Sequence, residues 1–275
     1  MTAFDDAERR MRAGTAEAFE RTYARICAYP VSLLLDAAGV EAGVKVLDVG
    51  TGTGTVAVAA CARGATVTAV DADPDMVKLA QAATKGVPVK VAALPSLPFT
   101  DEQFDAVVAN FVLNHVGRPL PALRELRRVT RPGGRVAVTI WAHPGGSGQK
   151  LIGRAVQAAG VSRPDDLPFL APEDDFPRTA EGLADLLAAA GLAEASCQVV
   201  EWEHRVAADD WWSGPAAGVS FFGHLIVCQA PEKIAEIKWH YDEFSSEFAA
   251  PDEMLALPHV ALVATGRALR RTLSA

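Results

Sequence analysis

The chain has 275 residues, half of them hydrophobic, and a formal net charge of −8. That is enough apolar material for an α/β core with additions, and an acidic balance without a basic run argues against DNA, RNA or an anionic membrane surface as partner. Cys27, Cys61, Cys197 and Cys228 are scattered with no CxxC pair, which indicates neither a disulfide framework nor a metal site, and no leader-like run or apolar stretch of about 18 residues occurs, so a reduced, soluble, cytoplasmic protein is expected.

Residues 3–29 are rich in Ala, Glu and Arg, with apolar residues at helical spacing. Pro30 interrupts them, and a second helix is predicted over 31–38, stopped by Gly39. Val44 to Val49 is a short apolar run of the kind that forms a buried parallel strand. Gly50, Thr51, Gly52 and Gly54 follow, where the chain must turn sharply and admit a ligand close to its backbone. A helix from Thr55 to Arg63 and a strand ending on Asp71 complete half of a nucleotide-binding βαβ unit. The carboxylate of Asp71 then stands where ribose hydroxyls would lie.

A helix after Met76 ends at Gly86, and VPVKVAAL is the third strand. Pro95 and Pro98 leave little room for a helix before the fourth strand, Phe104 to Ala109, which ends at Asn110. In a doubly wound sheet ligands gather at the carboxyl ends of the strands, so Asn110, Phe111 and His115 fall where chemistry is expected. A helix from Pro119 and a Pro-Gly-Gly turn lead into the fifth strand, from whose end Trp141 and His143 project. Helices over 149–159 and 179–190 precede a sixth strand at 196–206, and a last strand is expected near 259–264. Between these two strands, residues 207–255 form a long insertion rich in aromatic residues.

Asp48 before the glycines, Asp71 followed by DADPDM, LPFTDEQFDAVVANFVLNHV and TRPGGRVAVTIW together resemble class I S-adenosylmethionine (SAM)-dependent methyltransferases, specifically the small-molecule group that includes quinone-biosynthesis enzymes. The resemblance covers residues 40–145 well and the rest loosely. It implies a Rossmann-like, doubly wound α/β fold: a seven-stranded sheet, mostly parallel with an antiparallel last strand, and helical lid insertions. A single domain over 1–275 would comprise an N-terminal helical lid (1–38), a SAM-binding core (40–145) and a substrate-lid insertion (207–255).

The same resemblance implies roles for residues. Asp48 would face the cationic amino group, Gly50, Thr51, Gly52 and Gly54 the donor's backbone, Asp71 and Ala72 the ribose, and Met76 the adenine face. The family often carries an acidic residue for the adenine amino group; here the matching positions are Ala92, Ala93 and Leu94, which leaves backbone groups at Ala93 and Leu94 for that edge. Asn110 and Phe111 complete the cofactor set. His115, His143 and Tyr23 are the catalytic candidates, with bracing or packing roles as the alternative for each. Tyr29, Trp141, Trp211, Trp212, Phe222 and His224 would line the acceptor pocket, although aromatics at helical spacing also form small cores beneath lids.

The implied function is transfer of a methyl group from SAM, with S-adenosylhomocysteine as product, to oxygen, nitrogen or carbon of a small aromatic metabolite in biosynthesis, by a monomer or homodimer without metal. NFVLNHV is not the NPPY-type sequence of enzymes that methylate base or amide nitrogens. A protein that binds SAM without methylating remains open, and so does a nicotinamide-dependent oxidoreductase, although no Tyr-x-x-x-Lys pair is present.

Overall fold

The computed structural model describes residues 2–165 and 167–269. The N-terminal stretch, expected as one helix, is three. In α1 (Ala3–Arg12) the Thr2 hydroxyl and the Asp5 carboxylate cap each other's backbone N–H groups. Gly14, at φ +77° with open space where a Cβ would stand, separates α1 from α2 (Ala16–Arg21). Thr22 breaks the chain again by donating its hydroxyl to Ala18 O, before α3 (Tyr23–Cys27) and α4 (Val31–Ala37).

The core then alternates as expected: β1 (Lys45–Val49), α5 (Thr55–Ala62), β2 (Thr66–Asp71), α6 (Pro74–Thr84), β3 (Val89–Val91), β4 (Phe104–Asn110), α7 (Pro119–Val129) and β5 (Thr130–Trp141). After α8 (Leu151–Ala158) and α9 (Ala180–Ala189) comes β6 (Leu192–Val206). Three helices fill the insertion, α10 (Ala208–Ala216), α11 (Ser220–Val227) and α12 (Pro231–Ser245), and β7 (Leu255–Ala268) closes the sheet.

The seven strands lie in the order β3-β2-β1-β4-β5-β7-β6, parallel except for β7, which runs against both its neighbours. The strand order reverses beside β1, which pairs with β2 on one side and β4 on the other, so the carboxyl ends of β1, β2 and β4 open a crevice there. β7 is longer than its apolar run indicated: it pairs with β6 from Leu192↔Ala268 to Val206↔Leu255, well past the end of β5.

Three apolar clusters follow from this layout. One face of the sheet packs Leu123, Leu126, Leu183 and Leu187 of α7 and α9. The other packs Leu34, Leu35, Ala57 and Ala60 of α4 and α5. The third joins Met11 of α1 and Leu151 of α8 to Trp211, Leu225, Ile237 and Tyr241 of the insertion, on the projecting tips Val206 and Leu257. No helix among the described residues is long and apolar enough to cross a membrane.

Candidate functional site

A cavity of about 600 Å³ occupies the crevice, within the range of roughly 300–1,000 Å³ of small-molecule sites. Its floor is the turn after β1. Gly50 and Thr51 donate their N–H groups to Val70 O, and a Cβ on Gly50 would lie 2.4 Å from Val112 Cγ2, so only glycine lets the turn and the loop after β4 meet. Asp71 accepts from Gly52 N at 2.8 Å and from Asp73 N at 2.9 Å. Burial raises its carboxyl, and those two N–H bonds work against the rise. Ala72, Met76, Ala93 and Leu94 continue this wall.

The opposite end is aromatic. Phe111 holds φ +57°, a conformation a bulky residue adopts only under constraint, and its N–H is gripped by the Thr139 hydroxyl at 2.8 Å. This turn lays its ring on Trp141, with centroids 4.1 Å apart. Tyr23 lies between Phe19 and Trp211, stacked on both. Burial pushes the Tyr23 phenol up to about 12, which suits a neutral donor and not a base. Asn110 ties the strand tip to the N-terminal helices through Nδ2, which donates to Cys27 O at 2.9 Å.

Three charged or titratable groups meet at the cavity where α1 crosses the loop after β4. His115 Nδ1 and Glu8 Oε2 are 2.9 Å apart, and Arg12 donates to the same oxygen at 2.9 Å. Burial and the Arg12 guanidinium hold the His115 pKa below its ordinary value, against the pull of Glu8. Burial would raise the Glu8 carboxyl, but His115 and Arg12 together hold it low. The site therefore carries a neutral imidazole beside an ionised carboxylate and a guanidinium.

Of the residues expected at a site, Tyr23, Gly50, Thr51, Gly52, Asp71, Ala72, Met76, Ala93, Leu94, Asn110, Phe111, His115 and Trp141 line this one cavity. Others stand elsewhere. Asp48 is fully buried behind the turn, where one oxygen accepts from the Thr51 hydroxyl at 2.7 Å and the other has no partner. A Cβ on Gly54 would meet Ala80 and Thr84 of α6, away from the cavity. His143 is exposed, its N–H held by Arg178 O. Tyr29 is turned outward and stacks on Trp202.

The insertion aromatics pack against protein. Trp211 backs Tyr23 from outside the cavity, Trp212 lies on Tyr241, Phe222 fills the space over Gly153, and His224 faces Cys228, the residue that caps its own helix. From the insertion, Val219 and Ser220 are what reach the wall. Sequence reasoning missed Glu8, Arg12 and Phe19; charged residues in AERRMR look like a solvated helix face, and only the fold turns them inward.

A family model described as a methyltransferase domain matches residues 47–138. The demethylmenaquinone methyltransferase of Mycolicibacterium paratuberculosis is 37% identical over 165 residues, 57% of this chain and 71% of that protein. The chain belongs to the class I SAM-dependent methyltransferase family. A second demethylmenaquinone methyltransferase, from Renibacterium salmoninarum, is 38% identical over 41% of this chain, and the match spans about half of that relative's length, 47%. The YcgJ protein of Bacillus subtilis shares the fold, with a TM-score of 0.57, 19% identity and coverage of 88% of this chain and 99% of that one.

The family's cofactor is SAM, and the cavity of this methyltransferase-family chain fits it. The glycine turn, free of side chains at Gly50 and Gly52, allows a ligand close to the backbone, Asp71 presents a carboxylate to the cavity, and Met76 and Leu94 supply apolar surface. Among the described residues no group of three or more His, Cys, Asp or Glu is placed to hold a metal ion.

Proposed function

We propose that this protein is a SAM-dependent methyltransferase whose acceptor is a small aromatic hydroxyl compound of the quinol or phenol type. The observation that carries this reading is the polarity of this cavity: a nucleoside cradle at Asp71 and, across it, a Phe111–Trp141 stack and the neutral His115. Bound SAM supplies a methyl group on a positively charged sulfur, activated for in-line displacement.

The chain's own residues do the rest. The glycine turn, Asp71 and Met76 hold the donor, and Phe111, Trp141 and Tyr23 wall the acceptor end with aromatic surface that confines a ring and excludes water. His115 takes the hydroxyl proton that methylation releases and returns it to solvent. The demethylmenaquinone methyltransferases among its relatives support a quinone-like ring as the first acceptor to try.

Titration calorimetry with SAM, S-adenosylhomocysteine and NADPH tests the donor, and turnover of SAM with 1,4-naphthohydroquinone and simple phenols tests the acceptor. Micromolar binding of both adenosyl ligands, silence with NADPH and methylated product are the expected results. Binding without product across these hydroxyl compounds overturns the acceptor assignment, and binding of NADPH alone overturns the donor.

A further inference from the structure

α1 touches the loop after β4 through two carboxylates three residues apart on one helix face. Asp5 Oδ1 accepts from Gly117 N at 2.7 Å, and Glu8 Oε2 meets His115 Nδ1 at 2.9 Å. Both partners lie on the same short loop, whose 3₁₀ turn, Leu113–His115, carries the imidazole. An ionised carboxylate only accepts, so the bond to Glu8 puts the ring proton on Nδ1 and leaves Nε2 with its lone pair for a ligand in the cavity. Arg12, bound to the same carboxylate oxygen, fixes that oxygen in place.

We propose that Glu8 is a positioning residue for His115: seated on the loop, α1 selects the Nδ1–H tautomer and supplies the counter-ion for the imidazolium that forms when Nε2 accepts the acceptor's proton. Histidine held this way is a base only while α1 is closed. Proton removal is thereby linked to exclusion of water from the cavity. The inference rests on the base role given to His115 above, and it adds a residue and a condition to it.

The groups around the ring set the sign of its titration. Glu8 favours the charged form; Arg12 of the same helix and burial oppose it. Asp5 is engaged by Gly117 N, and Arg163, before α9, lies within electrostatic reach of Glu8. Removing the Glu8 charge therefore lowers the pKa of His115.

Ring-nitrogen NMR of the ¹⁵N-labelled protein with S-adenosylhomocysteine tests this without any acceptor, the His115 signals being identified by their loss in His115→Asn. The wild type is expected to show Nδ1–H and a free Nε2. In Glu8→Gln, which can still accept the hydrogen bond, the titration midpoint falls by about one pH unit. In Glu8→Ala the ring reverts to the Nε2–H form that free histidine favours. An Nε2–H ring in the wild type, or an unmoved midpoint in Glu8→Gln, overturns the proposal, and the wild-type spectrum decides the tautomer even if a variant folds poorly. Turnover of 1,4-naphthohydroquinone by wild type and His115→Ala reads the underlying base role separately: unchanged turnover in His115→Ala rejects the base, whatever the tautomer.

Discussion

Two carboxylates at the tips of neighbouring strands carry different duties. Asp71 faces the cavity and also closes the turn, so its charge and its acceptor capacity can be separated. Asp71→Asn keeps one carbonyl oxygen for Gly52 N and loses the charge; SAM affinity, read by calorimetry, is expected to fall about 10-fold or more, on the scale of one charge-assisted hydrogen bond. Asp48 acts from behind the turn. Burial pushes its carboxyl up to about 7, with the Thr51 hydroxyl opposing and Asp71 adding to the rise. In the unfolded chain the group returns to about 3.9, so between these values the native state holds more protons and stability declines as pH rises. The burden is absent below about pH 4 and complete above about pH 7. Asp48→Asn removes this slope: its melting temperature relative to wild type is expected to rise between pH 5 and pH 8. Parallel curves would show that Asp48 ionises freely in the native state.

At the scale of elements, the seat of α1 is narrow. A Cβ on Gly117 would stand 2.0 Å from Thr2 Oγ1 and 3.2 Å from Asp5 Cγ, the two groups that cap the helix. Gly117→Ala therefore unseats α1 while leaving the sheet alone; hydrogen exchange should show protection lost over 3–12 and kept in β1 and β4. The insertion behaves otherwise. Its aromatics were legible as an amphipathic roof, but not as to which side of the roof they face. Trp211, Trp212 and Phe222 satisfy their bulk against Tyr23, Tyr241 and α8, a long-range fit that helical periodicity does not encode. Conversely, β1, its turn, α5 and β2 were legible almost to the residue, because apolar runs, glycines and strand-end acids act locally. Glu8 lay outside that reach: its partner is more than a hundred residues away in the chain.

Over the whole molecule, the cavity draws on all three apolar clusters: Val116 from one face, Val56 from the other, and Tyr23 and Trp141 beside the third. A ligand that bridges them stabilises the folded state as one unit. S-adenosylhomocysteine at about 100 times its dissociation constant is expected to add about 2.7 kcal/mol to unfolding, with a single sharpened transition by calorimetry. A ligand-induced rise confined to part of a split transition would mean that the clusters melt separately.

The Gly14 break has a consequence for turnover. Beyond it, α3 is tied to the sheet by Asn110, whereas α1 joins α2 through an unobstructed glycine and is held by two carboxylate contacts and by Ala7 and Met11 in the third cluster. A hinge at Gly14 would make the moving cover of the cavity the ten residues of α1 and not the whole N-terminal region. Opening of such a segment falls on the microsecond to millisecond scale, and in many enzymes it paces the cycle. Exit of the spent nucleoside past α1 is then expected to be the slow step: rapid-quench kinetics should show the first turnover running ahead of those that follow, and equal rates would show that α1 does not pace release.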